Sequence, residues 1–175
     1  MTLQVNNNIN DRLKVAQNEL KQATRNWLID MHSDYPFALT LTLKQTLTEQ
    51  TPVGQRRRAI TRHDAVKMAE QFKRKLNRGV FGKRASEKYG KSVKIIPVLE
   101  GVRSNKNLHL HFAIGGLPSH IDFDRFTMIV FEAKKYVPNI DQQYDVQNAD
   151  SGWMDYIVKE TSAKDTDNVL WHLAE

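Results

Sequence analysis

Five side chains in this sequence have types and spacings that could do chemistry together: two histidines, a glutamate, a tyrosine and a lysine. His109 and His111 are separated by one apolar residue in the run Leu108-His109-Leu110-His111-Phe112-Ala113-Ile114. An apolar run of this length, bounded by polar and Gly-rich segments, predicts a strand. Residues i and i+2 of a strand share a face. His109 and His111 are therefore expected side by side, with Leu110, Phe112 and Ile114 turned into a core. Two imidazoles held on one strand make a natural pair of metal ligands. A strand whose histidines merely face water is the alternative. Glu100 sits near the end of the preceding apolar run, Val93 to Val102. A turn at Arg103-Ser104-Asn105-Lys106-Asn107 would fold the two runs into an antiparallel hairpin. Glu100 then lies opposite the histidines or one strand position away, where its carboxylate could complete a metal site. Mixed His and carboxylate ligands suit Mn²⁺ in particular, with Mg²⁺ as the other candidate.

Tyr156 and Lys159 are three residues apart on a predicted helix, Gly152 to Thr161, that Ser151 can cap. Trp153 and Ile157 of that helix are expected to face inward. Tyrosine is a weak nucleophile, with a reference pKa of about 10, and a nearby cation favours its phenolate or holds a phosphate. Taken singly, Tyr156 reads as a half-buried helix tyrosine and Lys159 as a surface lysine. Their joint occurrence after the histidine strand favours the chemical reading. Tyr136 and Tyr144 are the next candidates for a nucleophile.

The elements that must position these residues follow from hydrophobic periodicity. Residues 1–10 are polar and Asn-rich and are expected to be loose. From Asp11 the apolar stripe Leu13, Ala16, Leu20, Ala23, Trp27 and Met31 predicts a helix, ended by Asp34-Tyr35-Pro36. Phe37-Ala38-Leu39-Thr40-Leu41-Thr42-Leu43 alternates as a strand should. Residues 45–60 read as a loop with a basic tip, Arg56-Arg57-Arg58. Thr61 is expected to cap a helix with Ala65, Met68, Phe72 and Leu76 inward, stopped by Gly79 and Gly82. Pro97 marks the Val93–Val102 strand as bulged or at an edge. Asp122 through Lys135 predicts a further helix, with Phe123, Phe126, Val130 and Ala133 inward. Tyr144 to Gln147 is a short strand candidate. In the tail, Val169, Leu170, Trp171 and Leu173 are expected to pack back on the domain. The order suggests an α+β fold, a mostly antiparallel sheet covered by helices. Its expected division is an N-terminal helical extension, 1–34, and a domain over 35–175.

The chain has 175 residues, of which 40% are hydrophobic, enough for one domain with a proper core. A formal charge of +6 favours a polyanionic partner, nucleic acid before anionic membrane. Arg56, Arg57 and Arg58, and Lys73, Arg74 and Lys75, are the candidate phosphate contacts, with solvated surface as the alternative for both groups. The absence of cysteine excludes disulfides and thiolate metal sites. No apolar run approaches the roughly 18 residues of a membrane span. No secretory signal is evident at the N-terminus, so an intracellular, cytoplasmic setting is expected.

Three stretches also stand in a familiar order: FALTLTL, LHLHFAI preceded by Glu100, and Tyr156-Ile157-Val158-Lys159. From Phe37 to about Lys159 the chain resembles the single-tyrosine replication initiator (Rep) branch of the HUH endonucleases. FALTLTL resembles the family's first motif, the His-apolar-His strand its metal-binding motif, and Tyr156 with Lys159 its nucleophile motif. The resemblance implies a ferredoxin-like or RRM-like fold. It also implies nicking and joining of single-stranded origin DNA, hairpins included, in rolling-circle replication. Attack would leave Tyr156 joined to a 5′-phosphate and free a 3′-hydroxyl, with a divalent metal on His109, His111 and Glu100. The helicase domain of many viral initiators is not in the sequence, so a host helicase and polymerase are expected partners. A non-catalytic single-strand-binding module using Tyr89 and the basic segment is the alternative from another class. A related transposase or relaxase is the alternative within the same chemistry.

Overall fold

A computed structural model describes residues 2–101, 107–157 and 168–175. Its centre is a four-stranded antiparallel sheet built from β1 (Phe37–Leu43), β4 (Lys94–Glu100), β5 (His109–Gly115) and β6 (Ile140–Asn148), in the order β4-β5-β1-β6. A second, two-stranded sheet joins β2 (Thr46–Thr51) to β3 (Gly54–Ala59). The helices are α1 (Thr2–Asp30), α2 (Arg62–Phe81), α3 (Lys83–Lys88), α4 (Phe123–Lys135) and α5 (Ser151–Ile157). Strand, helix, two strands of a hairpin, helix and strand follow one another around the main sheet, the ferredoxin-like arrangement of an α+β fold.

Strand alternation divides the main sheet into two faces. Phe37, Leu39, Leu41 and Leu43 of β1 join Leu110, Phe112 and Ile114 of β5 in the larger core. α2 and α4 cover this face through Met68, Phe72, Leu76, Phe126 and Val130. α2 begins in a capping box, in which Thr61 accepts from the Asp64 amide and the Asp64 carboxylate accepts from the Thr61 amide. Gly79 lies within α2 and does not end it. A Cβ there would stand 2.6 Å from Cγ2 of Ile129, so the glycine permits α2 and α4 to approach closely.

The other face is apolar at one end and polar at the other. Ile96 and Val98 of β4 and Ala113 of β5 pack with Leu28, Tyr35, Ile157 and Val169 in a smaller cluster. The last turn of α1 thus belongs to the packing of the domain. Leu28, which is fully buried, and not Trp27, which is half-exposed, anchors that turn. α1 also begins at Thr2, well before Asp11. No glycine or proline precedes Pro36, and the helical cost of each Asn is only about 0.7 kcal/mol.

Two further differences have local causes. Residues 45–60 form the β2–β3 hairpin and not a loop. Thr46, Thr48 and Thr51 favour extended backbone, and Pro52 and Val53 make the turn before Gly54 at φ +122°. β6 runs from Ile140 to Asn148, longer than Tyr144–Gln147, because it pairs along β1 from Phe37 to Leu43, with a register shift between Leu41 and Leu43. Pro97 lies on an edge strand as expected. The open side of β4 is lined by the C-terminal segment, where the Leu170 amide donates to the Pro97 carbonyl and Ile95 exchanges amide–carbonyl bonds with Glu175.

Candidate functional site

The polar end of the second face is the candidate site. His109 and His111 stand side by side on β5, their rings 6.3 Å apart between centroids. Glu100 pairs with His109 across the β4–β5 ladder, and Val98 pairs with His111. The Glu100 carboxylate reaches diagonally to His111, whose Nε2 lies 2.5 Å from Oε2. On the other side of the ring, Nδ1 lies 3.0 Å from Thr40 Oγ1. A neutral ring that donates from Nε2 to the carboxylate accepts at Nδ1 from the Thr40 hydroxyl. His111 and Glu100 are both buried, at 3% and 6% exposure, so each needs the other: a buried carboxylate without a partner is costly.

Tyr156 closes the pocket from above. Its ring stands edge-on to that of His111, with centroids 5.5 Å apart and planes at 87°. Trp153 stacks on Tyr156 at 5.4 Å and meets His111 edge-on at 5.7 Å. Both aromatics are carried by α5, whose first turn is capped by Asp150. Oδ1 of Asp150 accepts from the Trp153 amide at 2.8 Å, so the cap is Asp150 and not Ser151. Ile157 is buried in the smaller cluster and holds the helix against the sheet. The resulting cavity is about 640 Å³ and is also lined by Asp145, Gln147 and Asp150.

Asp145 and Thr40 are site residues that the sequence motifs do not single out. The signal is present as alternation. Thr40 faces away from Leu39 and Leu41, and Asp145 away from Tyr144 and Val146. β1 pairs with both β5 and β6, placing Thr40 beside His111 on one side and Asp145 on the other. Tyr144, by contrast, packs against the larger core. Tyr136 lies at the end of α4, with Lys75 above its ring at 4.6 Å. Neither of these tyrosines lines the pocket.

The basic residues divide differently. Arg58 is held by Glu49 and by both carboxylate oxygens of Asp64, at 2.6 and 2.8 Å. Those bonds push the Arg58 guanidinium further up and hold the Asp64 carboxyl far below the usual carboxylate range. Arg56 and Arg57 are exposed on β3. Lys73, Arg74 and Lys75 ride on α2, on the sheet face away from the pocket. Lys73 is engaged by Glu175 at 2.6 Å and by the Leu173 carbonyl at 2.9 Å. Lys159 lies outside the described residues, as does the expected turn from Arg103 to Lys106.

Among the described residues, no three His, Cys, Asp or Glu side chains are arranged as a ready metal-ligand group. The donor chemistry of His109, His111 and Glu100 nevertheless suits a first-row divalent cation. Glu100 Oε2 and His111 Nε2 point at one another. A cation bound to both at about 2.1 Å would require them to part to roughly 3 Å, and the ring proton to sit on Nδ1, donating to the Thr40 hydroxyl oxygen. The described lining holds three carboxylates, from Glu100, Asp145 and Asp150, and no lysine or arginine. A phosphodiester entering there needs a cation to offset its charge and theirs.

Compared with known proteins, the chain matches no family model, no curated protein and no solved structure. Among the described residues, no helix is long and apolar enough to cross a membrane.

Proposed function

We propose that this protein nicks and rejoins single-stranded DNA through a covalent bond to Tyr156, as an initiator of rolling-circle replication. The observation that carries this reading is the meeting of Tyr156 with His111 in one pocket, 5.5 Å between ring centroids. His111 lies on β5 and Tyr156 on α5, with α4 and β6 between them in the chain. No local rule of strand or helix brings them together.

In this reading the Tyr156 oxygen attacks the phosphorus of a bound phosphodiester. A bond forms from the tyrosine oxygen to phosphorus, and the bond from phosphorus to the 3′-oxygen breaks. The phenolic proton is lost to solvent or a neighbouring base, and the departing oxygen takes up a proton as a free 3′-hydroxyl. One phosphoester replaces another, so the reverse attack by a 3′-hydroxyl rejoins the strand and releases Tyr156. His109, His111 and Glu100 would hold a divalent cation, which when bound supplies Lewis-acid stabilisation of charge on the phosphate oxygens. Thr40 orients the His111 ring through Nδ1, as outer hydrogen bonds do for metal-binding histidines. Lys159, three residues beyond Tyr156 in sequence, would favour the phenolate or hold the phosphate.

The stacked, partly exposed pair Trp153 and Tyr156 supports a second reading, a binding module that stacks bases without cleaving. Incubation with labelled single-stranded origin DNA and Mn²⁺, followed by a denaturing gel, decides between them. A labelled protein–DNA adduct is expected. Binding without cleavage would leave only the module, and cleavage without adduct would indicate hydrolysis by water.

A further inference from the structure

α2 and α4 cover the larger core, so their outer flanks lie on the side of the main sheet away from the histidines. Between those flanks runs a groove of about 730 Å³. Gly79 carries no side chain and Ala133 is buried, and with the half-buried Ile129 they form its floor. Met128 and Tyr136 stand beside it, 69% and 64% exposed. Large apolar side chains left open in one patch with a polar rim mark a contact site. Met, Tyr and Arg are the residue types enriched at such sites. Lys75 meets Tyr136, and Gly79 meets Ile129, so the two helices run antiparallel and Lys75 and Arg125 stand at opposite ends of the groove.

From this arrangement we infer that the α2–α4 groove docks a short acidic segment of a partner protein. One bulky apolar side chain of that segment sits over Gly79, and carboxylates on either side of it face Lys75 and Arg125. The rim is of one sign once its internal pairs are set aside. Glu132 is engaged by Lys135 at 2.6 Å, and Arg78 by Glu87. Among the described residues no carboxylate pairs with Lys75 or Arg125. About three turns of α4 separate Arg125 from Tyr136, roughly 16 Å at 1.5 Å per residue. About five extended residues, at about 3.4 Å each, cover that length.

Charge selects the occupant. A second copy of this face would set cation against cation. A nucleic-acid strand would match the cations but would lay sugar and phosphate on Met128 and Ile129. The one ring open to base stacking, Tyr136, already has the Lys75 ammonium over it at 4.6 Å. An acidic peptide with an apolar anchor suits both the rim and the floor. The groove shares no residue with the histidine pocket, so the inference stands independently of the nicking reaction.

The test is selection by the full chain from a phage-displayed library of random 12-residue peptides, then fluorescence anisotropy of the selected peptide carrying fluorescein. Enriched peptides are expected to place acidic residues on both sides of a large apolar one. The Arg125→Glu, Met128→Glu double variant should bind the selected peptide at least tenfold more weakly. Its thermal unfolding should match the wild type, because position 125 lies in the first turn of α4, where an acid is favoured, and Met128 is exposed. A peptide with its acids replaced by lysine should lose the wild type and regain affinity for the double variant. Failure to enrich any peptide would overturn the inference, as would enrichment of peptides without acids. Equal affinity for the wild type and the double variant would also overturn it. If single-stranded DNA loses as much affinity as the peptide in the double variant, the groove is a nucleic-acid face and the inference falls.

Discussion

The Tyr156 and His111 rings meet edge-on at 5.5 Å, and Trp153 stacks on Tyr156 while also meeting His111 edge-on. Tyr156→Phe keeps the ring and both of these neighbours. It should change stability by no more than about 1 kcal/mol. Metal and DNA binding should persist while the covalent adduct disappears. Tyr136 and Tyr144 do not line the pocket, so they should not substitute. An adduct from the Tyr156→Phe protein on a denaturing gel would show that another residue attacks.

Glu100 and His109 should separate under mutation. Glu100→Ala removes the carboxylate facing Nε2 of the buried His111 and should cost about 1–3 kcal/mol, read as a lower urea midpoint. His109 is only half-buried, so His109→Ala should cost less than about 1 kcal/mol. Both should weaken Mn²⁺ binding measured calorimetrically. Unchanged Mn²⁺ affinity in both variants would remove these residues as ligands.

Asp64 contributes to stability through its bonds to Arg58 and Thr61, and they hold its carboxyl below the usual range. The unfolded chain therefore takes up this proton before the folded chain does. The contribution is complete at neutral pH and falls as pH drops below about 4, the unfolded value. Asp64→Ala should lower stability by about 2 kcal/mol at pH 7. The gap between variant and wild type should narrow in thermal melts at about pH 2 to 3. A gap that widens in acid would contradict the assignment.

Gly115 is a point of close approach. A Cβ there would stand 1.8 Å from the Asp34 carbonyl oxygen, a backbone atom that cannot swing aside. Gly115→Ala should destabilise by about 3 kcal/mol or more. A melting temperature indistinguishable from wild type would show that the chain before β1 gives way easily.

The basic residues should divide by what already holds them. Arg56→Ala with Arg57→Ala should weaken single-strand binding and lower its salt slope by about 0.7 for each phosphate no longer neutralised. Lys73→Ala should act mainly on stability, because Glu175 and the Leu173 carbonyl occupy its ammonium. Filter binding across a salt series distinguishes the two.

Local pattern by itself determined which way many side chains turn. The alternation in LHLHFAI placed both histidines on one face, the closeness in sequence of the two apolar runs brought Glu100 to them, and Thr61 started α2. Each depends on neighbours in sequence, where periods of 2 and 3.6 suffice. The partnership of β1 with both β5 and β6 depends on burial between distant segments, and only the tertiary structure decided it. That pairing set Thr40 between His111 and Asp145, sent Tyr144 to the other core and brought Tyr156 over the histidines. The fate of the three adjacent arginines was also tertiary. Arg58 became a clamp because Asp64, at the start of the next helix, folds back beneath it, whereas Arg57 was turned outward by a strand register that depends on where β2 and β3 pair.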